Sequence, residues 1–222
     1  MPRPIDPYRF GVMNSMSKDI FFSKLTEFRC FGFFLICMSQ AYADSNDSLN
    51  LLSNNDLSHF IVPEGNEVIG WYKVENKILK LRSDPKRKHS VLRTKKAFHN
   101  FRCSLEFQFI EGNIDSGIEL RNSDQIQIGV SGSLKRDMTG SPYIPGLGYP
   151  RHAEGVETLL RQKNWNHMTI KCIGPRYIVT LAGREIVDYP SPKAIDNGPI
   201  GIQLHGKRDM KIDFRNIYIQ EI

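Results

Sequence analysis

The sequence predicts an all-β chain folded as a two-sheet antiparallel sandwich. From Val68 to the C-terminus apolar and polar residues alternate with a period of two, stretches with the 3.6-residue helical period are nearly absent, and turn signals recur at short intervals. About ten short strands punctuated in this way fit two packed sheets better than a helical or α/β fold.

The strands follow in order. Residues 71–74 and 77–81 flank Glu75-Asn76, a hairpin-like turn. Residues 101–109 alternate without a break and form the clearest strand of the chain, with Phe101, Cys103, Leu105, Phe107 and Phe109 on one face. Residues 117–121 and 125–128 alternate again around Asn122-Ser123-Asp124, three residues that favour turns. Later runs span 167–173, 177–181, 185–187, 200–204 and 211–219, separated by Gly174-Pro175, Ala182-Gly183 and Asn197-Gly198-Pro199. One stretch departs from the pattern. Residues 131–164 carry Gly132, Gly140, Pro142, Pro145, Gly146, Gly148 and Pro150, a long loop of the kind that carries function, with a short helix expected over 154–162.

The first 43 residues read as an address, not as fold. Lys18, Lys24 and Arg29 precede the apolar residues 30–39 (CFGFFLICMS), and Ala41-Tyr42-Ala43 supplies a small-x-small cleavage pattern. The expected domains are therefore 1–43, an N-terminal extension with a signal peptide, and 44–222, one sandwich in the periplasm or outside the cell. No apolar run reaches the roughly 18 residues of a spanning helix, so no membrane span is expected once the leader is removed.

Export changes the charge argument. The whole chain has 30 Lys+Arg against 24 Asp+Glu. Residues 1–43 hold five basic side chains and three acidic ones, leaving 25 against 21 from Asp44 onward. A modest excess with one dense cluster, Lys86-Arg87-Lys88-His89, argues against nucleic acid as a partner. Two cysteines, Cys103 and Cys172, remain after the leader; each sits on the apolar face of its run, as a buried thiol or as half of a disulfide if the strands are neighbours.

The polar halves of the strands carry the functional signal. Alternation places Glu119 and Arg121 opposite Ile118 and Leu120, and Gln125 and Gln127 opposite Ile126 and Ile128. Near the C-terminus Gly201, Gln203 and His205 alternate with Ile200, Ile202 and Leu204. Amides, a carboxylate, a guanidinium and an imidazole on one concave sheet suit a polyhydroxylated ligand, and Tyr143 and Tyr149 of the long loop add hydroxyls and stacking faces. Other chemistries lack their residues. No metal is expected, since neither cysteine has close ligand partners and His99, His152, His167 and His205 are scattered. No P-loop or dinucleotide fingerprint appears, and no cofactor is expected. Ordinary glycosidases need two carboxylates, whereas this patch offers Glu119 alone.

Segments in order resemble the 3-keto-disaccharide hydrolase domain family: Asn55-Asp56-Leu57-Ser58, residues 71–79 (WYKVENKIL), 116–127 (SGIELRNSDQIQ), Trp165-Asn166, 198–206 (GPIGIQLHG) and Phe214-Arg215-Asn216-Ile217. The resemblance implies a jelly-roll sandwich of the concanavalin-A-like, laminarinase-like kind. It also implies action on glycosides already oxidised to a ketone at sugar C3. That ketone acidifies the C2 proton, so one base suffices to expel the C1 substituent before water adds. Ser116, Gly117, Leu120, Arg121, Gln127, His205 and Gly206 match the family pattern. Three positions depart from it: Gln125 stands where many members have Glu, Glu119 where an aromatic is common, and Ala182-Gly183 where Asn-Gly is common. On this reading His205 or Glu119 is the base, and Arg121, Gln125, Gln127 and Gln203 hold sugar hydroxyls or the enolate. Tyr143 helps close the site, and the partner is a small-molecule or oligosaccharide substrate. A non-catalytic carbohydrate-binding sandwich is the alternative, with a protein-interaction domain third.

Overall fold

The computed structural model describes residues 47–83, 86 and 88–222; the leader read in residues 1–43 and Arg87 of the basic cluster at 86–89 lie outside the described residues. The first half of the chain contributes β1 (Leu49–Asn50), β2 (Phe60–Ile61), α1 (Asn66–Ile69), β3 (Tyr72–Glu75), β4 (Ile78–Ser83), β5 (Ser90–Phe98) and β6 (Phe101–Gly112). There follow β7 (Asp115–Leu120), β8 (Asp124–Gly129), β9 (Pro142–Tyr143), α2 (Val156–Leu159), β10 (Asn166–Ile173), β11 (Arg176–Leu181), β12 (Arg184–Pro190), β13 (Gly198–Leu204) and β14 (Met210–Glu221).

Two antiparallel sheets result. One runs β12-β11-β10-β6-β14-β4-β3, with β1 pairing the far end of β14; the other runs β2-β5-β13-β7-β8-β9. Non-consecutive neighbours in the middle of both sheets, β10-β6-β14-β4 in one and β2-β5-β13-β7 in the other, are the mark of a jelly-roll sandwich, and the expected fold class holds. The core is the interleaved inner faces. Leu79, Leu105, Phe107, Ile170, Val179 and Phe214 from the first sheet meet Leu92, Ile118, Ile126, Ile128, Ile202 and Leu204 from the second, all nearly inaccessible. Each such side chain contributes about 1.5–3 kcal/mol by leaving water. Cys103 and Cys172 lie on the neighbouring strands β6 and β10, opposite Ile170 and Phe101 respectively, as buried free thiols. Desolvation pushes the Cys103 thiol up to about 12.

Several local expectations shift. The first hairpin turns at Asn76-Lys77, both with positive φ, as two-residue hairpin turns require. β5 was not expected: its outward Arg93, Lys95 and neighbouring Lys96 disguise an alternation in which Leu92, Thr94 and Phe98 face inward. The helix expected over 154–162 shrinks to the four residues of α2, and the long loop contributes an edge strand, β9, to the second sheet. No helix among the described residues is long and apolar enough to cross a membrane.

Candidate functional site

The outer face of the second sheet is a lattice of directly opposed residues, and its register builds the site. Residues facing one another across antiparallel strands share a face. One rung reads Ile61, Arg93, Gly201, Glu119, Gln125 and Tyr143 across β2, β5, β13, β7, β8 and β9. The next reads Val91, Gln203, Gly117 and Gln127. One step beyond the pairs Leu204–Ser90 and Leu204–Ser116, the same alternation brings His89, His205 and Asp115 together.

Two glycines hollow this surface. A Cβ at Gly117 would sit 2.5 Å from the Gln125 side chain, and one at Gly201 would sit 2.5 Å from Val91 and 3.0 Å from Glu119. Their bare backbones let long side chains from flanking strands lie flat. The result is a polar cleft of about 330 Å³ lined by His89, Asp115, Gln125, Gln127, Gln203 and His205, with Ser131, Tyr143, Tyr149 and Arg208 closing it from the loops.

Asp115 is the pivot. Its carboxyl group is buried, its Oδ1 accepts from Gln127 Nε2 at 2.9 Å, and its Oδ2 lies 3.3 Å from an Arg208 guanidinium nitrogen and 3.9 Å from His205 Nε2. Gln127 Oε1 in turn accepts from Gln125 Nε2 at 2.9 Å. His205 Nδ1 lies 2.8 Å from the Gly206 carbonyl, which can only accept, so Nδ1 carries the proton of the neutral ring. Nε2, on the Asp115 side, is left with its lone pair in that tautomer, a base placed beside a carboxylate. The His89 ring meets the His205 ring edge-on at 6.1 Å, and burial, then the neighbouring His205, pushes its pKa below the usual histidine value. Burial raises the Tyr149 phenol. Two buried polar atoms on the wall, Gln203 Oε1 and Arg208 Nε, have no hydrogen-bond partner among the described residues; an acceptor and a donor held in this way are ready for ligand hydroxyls.

Of the residues singled out in the sequence, His205, Gln125, Gln127, Gln203 and Tyr143 come together on this cleft. Two do not. Arg121 is turned away because the β7–β8 turn begins one residue earlier than expected: Arg121 and Asn122 both adopt positive φ, which takes Arg121 out of the strand alternation. Its guanidinium is buried at one end of the sandwich, where it donates to the Gly174 carbonyl at 2.7 Å and the Ile195 carbonyl at 2.9 Å and lies over the Phe101 ring. Glu119 faces the expected side but is held by Arg93 through two hydrogen bonds, 2.7 and 3.1 Å, and does not line the cleft.

Three site residues escaped the sequence reading. Asp115 was legible, since the alternation of β7 extends two residues back from Gly117 to the same face. His89 ends the basic cluster Lys86-Arg87-Lys88-His89, whose charge hides its place on the sheet register. Arg208 sits in the connection before β14, where periodicity carries no information. Among the described residues no cluster of three or more His, Cys, Asp or Glu is arranged to hold a metal ion.

Comparisons with known proteins agree with this architecture. The fold is similar to that of a presumed glycosyl hydrolase of Parabacteroides distasonis, at 22% identity over 79% of this chain and 99% of that one, TM-score 0.57. A second presumed glycosyl hydrolase of the same organism matches at 15% identity over 80% and 94%, TM-score 0.59. The exoplasmic/lumenal domain of VIP36, solved in a Ca2+/Man3GlcNAc-bound form, matches at 8% identity over 68% and 81%, TM-score 0.52. At these identities the likeness is one of fold. No curated protein matches the sequence. Residues 48–220, nearly the whole described sandwich, match the 3-keto-alpha-glucoside-1,2-lyase-like domain, and the chain belongs to that family of carbohydrate-active proteins.

Proposed function

We propose that the chain cleaves 3-keto-glycosides in the Asp115–His205 cleft. The observation that carries this reading is the placement of His205: its Nδ1 lies 2.8 Å from the Gly206 carbonyl, and its Nε2 faces the cleft 3.9 Å from Asp115 Oδ2. With the ketone at C3, His205 Nε2 takes the C2 proton and the C2–H electrons form an enolate. The enolate then expels the C1 substituent, which takes the proton from the His205 imidazolium and leaves as its alcohol; a C1=C2 double bond remains with the C3 ketone restored, and water adds across that bond, its hydroxyl to C1 and its proton to C2. Asp115 stabilises the imidazolium formed in the first step, while Arg208 and the Gln203 amide bind the oxygen on which charge develops. One base is enough, so the family chemistry does not ask for the paired carboxylates of ordinary glycosidases. Asp115 replaces Glu119 as the carboxylate of this scheme.

The test is turnover of a 3-keto-glucoside by the wild-type protein, Asp115→Asn and His205→Ala. Product formation that falls by about 10²–10⁴-fold in both variants is expected; unchanged turnover in both overturns the assignment. A second reading is favoured by Gln125, an amide where many family members carry a carboxylate: a non-catalytic sandwich that binds sugar in the same cleft. Saturable glycan binding without product would identify it. The proposal extends to placement: residues 1–43 are removed on export, and residues 44–222 act in the periplasm or outside the cell. Mass spectrometry of the protein recovered from its producing cells should find Asp44 first, and an intact Met1 would refute this route.

A further inference from the structure

The polar cleft does not end at His89. On the far side of that ring the outer face of the second sheet continues into a further cavity of about 440 Å³, lined by Ile61, Pro63, His89, Ser90, Val91 and Arg93. His89 lines both hollows. Along the sheet register the surface changes character at this boundary: Gln203 on β13 is opposed by Val91 on β5, and Arg93 is opposed by Ile61 on β2. Ile61 is 59% exposed, a high value for a residue on a sheet face.

The chemistry of this wall is unlike that of the first cleft. Arg93 gives its charge to Glu119 through two hydrogen bonds, so what it presents to the cavity is mainly its aliphatic stem. Ser90 is buried. Burial depresses the basicity of the His89 ring, which favours its neutral form. A second sugar ring brings several hydroxyls, each needing a partner once it leaves water. Among the described lining residues, the aliphatic side chains of Ile61, Pro63 and Val91 offer none.

We propose that this cavity is the leaving-group subsite of the same cleft and takes an apolar C1 substituent, aryl or alkyl, rather than a second sugar. The inference rests on the reading of the polar cleft as the 3-keto-glycoside site and adds the class of glycoside it prefers. With the sugar held against Asp115 and His205, the C1 substituent lies on the His89 side and buries its apolar surface on Ile61 and Val91.

The experiment compares methyl and benzyl 3-keto-glucosides of the same anomer with a 3-keto-disaccharide. Methoxide and benzyloxide are leaving groups of similar basicity, so a difference between them reports the subsite and not the bond broken. The wild-type protein should favour benzyl over methyl by roughly tenfold or more in kcat/KM, the value of burying an aromatic ring on an apolar wall. It should also favour benzyl over the disaccharide. Ile61→Asn and Val91→Thr should each reduce the benzyl-to-methyl ratio, the first to below about threefold. Ile173→Asn, at an exposed isoleucine on the other sheet, should leave the ratio as in the wild type. A wild-type ratio near one, a ratio indifferent to both variants, or a preference for the disaccharide overturns the subsite while leaving the polar-cleft reading intact. Failure to turn over any of the three substrates overturns the polar-cleft reading and the subsite with it.

Discussion

Arg93 reaches across the bare backbone of Gly201 to hold Glu119 on the strand beyond, two hydrogen bonds joining side chains that are two strands apart. This pairing takes the only carboxylate visible in the sequence pattern out of the chemistry. Glu119→Gln should therefore retain turnover of a 3-keto-glucoside within about threefold, in contrast to Asp115→Asn, and lose no more than about 1 kcal/mol of stability. Steady-state rates and urea midpoints measure both; a 100-fold loss of rate in Glu119→Gln would return that residue to the active site.

Gly201→Ala tests the gap itself. The added methyl would meet Val91 at 2.5 Å and Glu119 at 3.0 Å, so Val91 or the ion pair must move. A loss of about 1–3 kcal/mol is expected in denaturant unfolding, and a neutral substitution would show that the surface is looser than described.

Arg121 is a structural residue. Its guanidinium ties the carbonyls of Gly174 and Ile195, from two different connections, to the end of the β7–β8 hairpin. Arg121→Met keeps the length of the side chain but leaves both carbonyls without their donor, at a cost of about 2–4 kcal/mol. Turnover by the folded fraction at 25 °C should remain close to the wild type. A stable protein that no longer binds sugar would contradict this assignment.

Acid should weaken the fold through two histidines. His89 and His167 both have pKa values pushed below the ordinary 6.5 by burial. For each, the unfolded chain takes up a proton more readily than the native protein, so stability is fully present above 6.5 and declines as pH falls from there through the lower native value. Unfolding midpoints between pH 8 and pH 5 should show this decline, and His167→Gln should make it shallower. An unchanged slope in that variant would remove His167 from the account.

The buried thiols give a chemical check on the core. Burial raises the Cys103 thiol to about 12 and raises Cys172 as well. Neither should react with iodoacetamide at pH 8 in the native protein, and both should react in denaturant. Peptide mass spectrometry reads the two sites individually; rapid native labelling of Cys103 would mean that β6 and β10 open easily.

Most of the sandwich was legible because burying one face of a strand imposes a period of two. β6, β8, β13 and β14 announce themselves through Phe107, Ile126, Ile202 and Ile212. β5 did not, since Arg93, Lys95 and Lys96 give it the composition of a loop while only a few inward residues carry the core. Within the site, Gln125, Gln127, Gln203 and His205 followed from alternation. Arg121 misled because a shift of one residue in a turn changes the face of whatever it moves. Asp115 was within reach of the same rule, while Arg208 depends on a tertiary approach that no local pattern encodes.

The bonds from Gln125 to Gln127 and from Gln127 to Asp115 all point one way, each amide giving a hydrogen to the next oxygen along the row. A carboxylate at position 125 has no hydrogen to give. It would demand one from Gln127, reversing that amide and turning its carbonyl oxygen toward Asp115, so two lone-pair surfaces would confront each other beside the imidazole. The identity of a residue at the rim, two positions along β8 from Gln127, thereby sets whether the acid at the bottom of the cleft meets a donor or an acceptor.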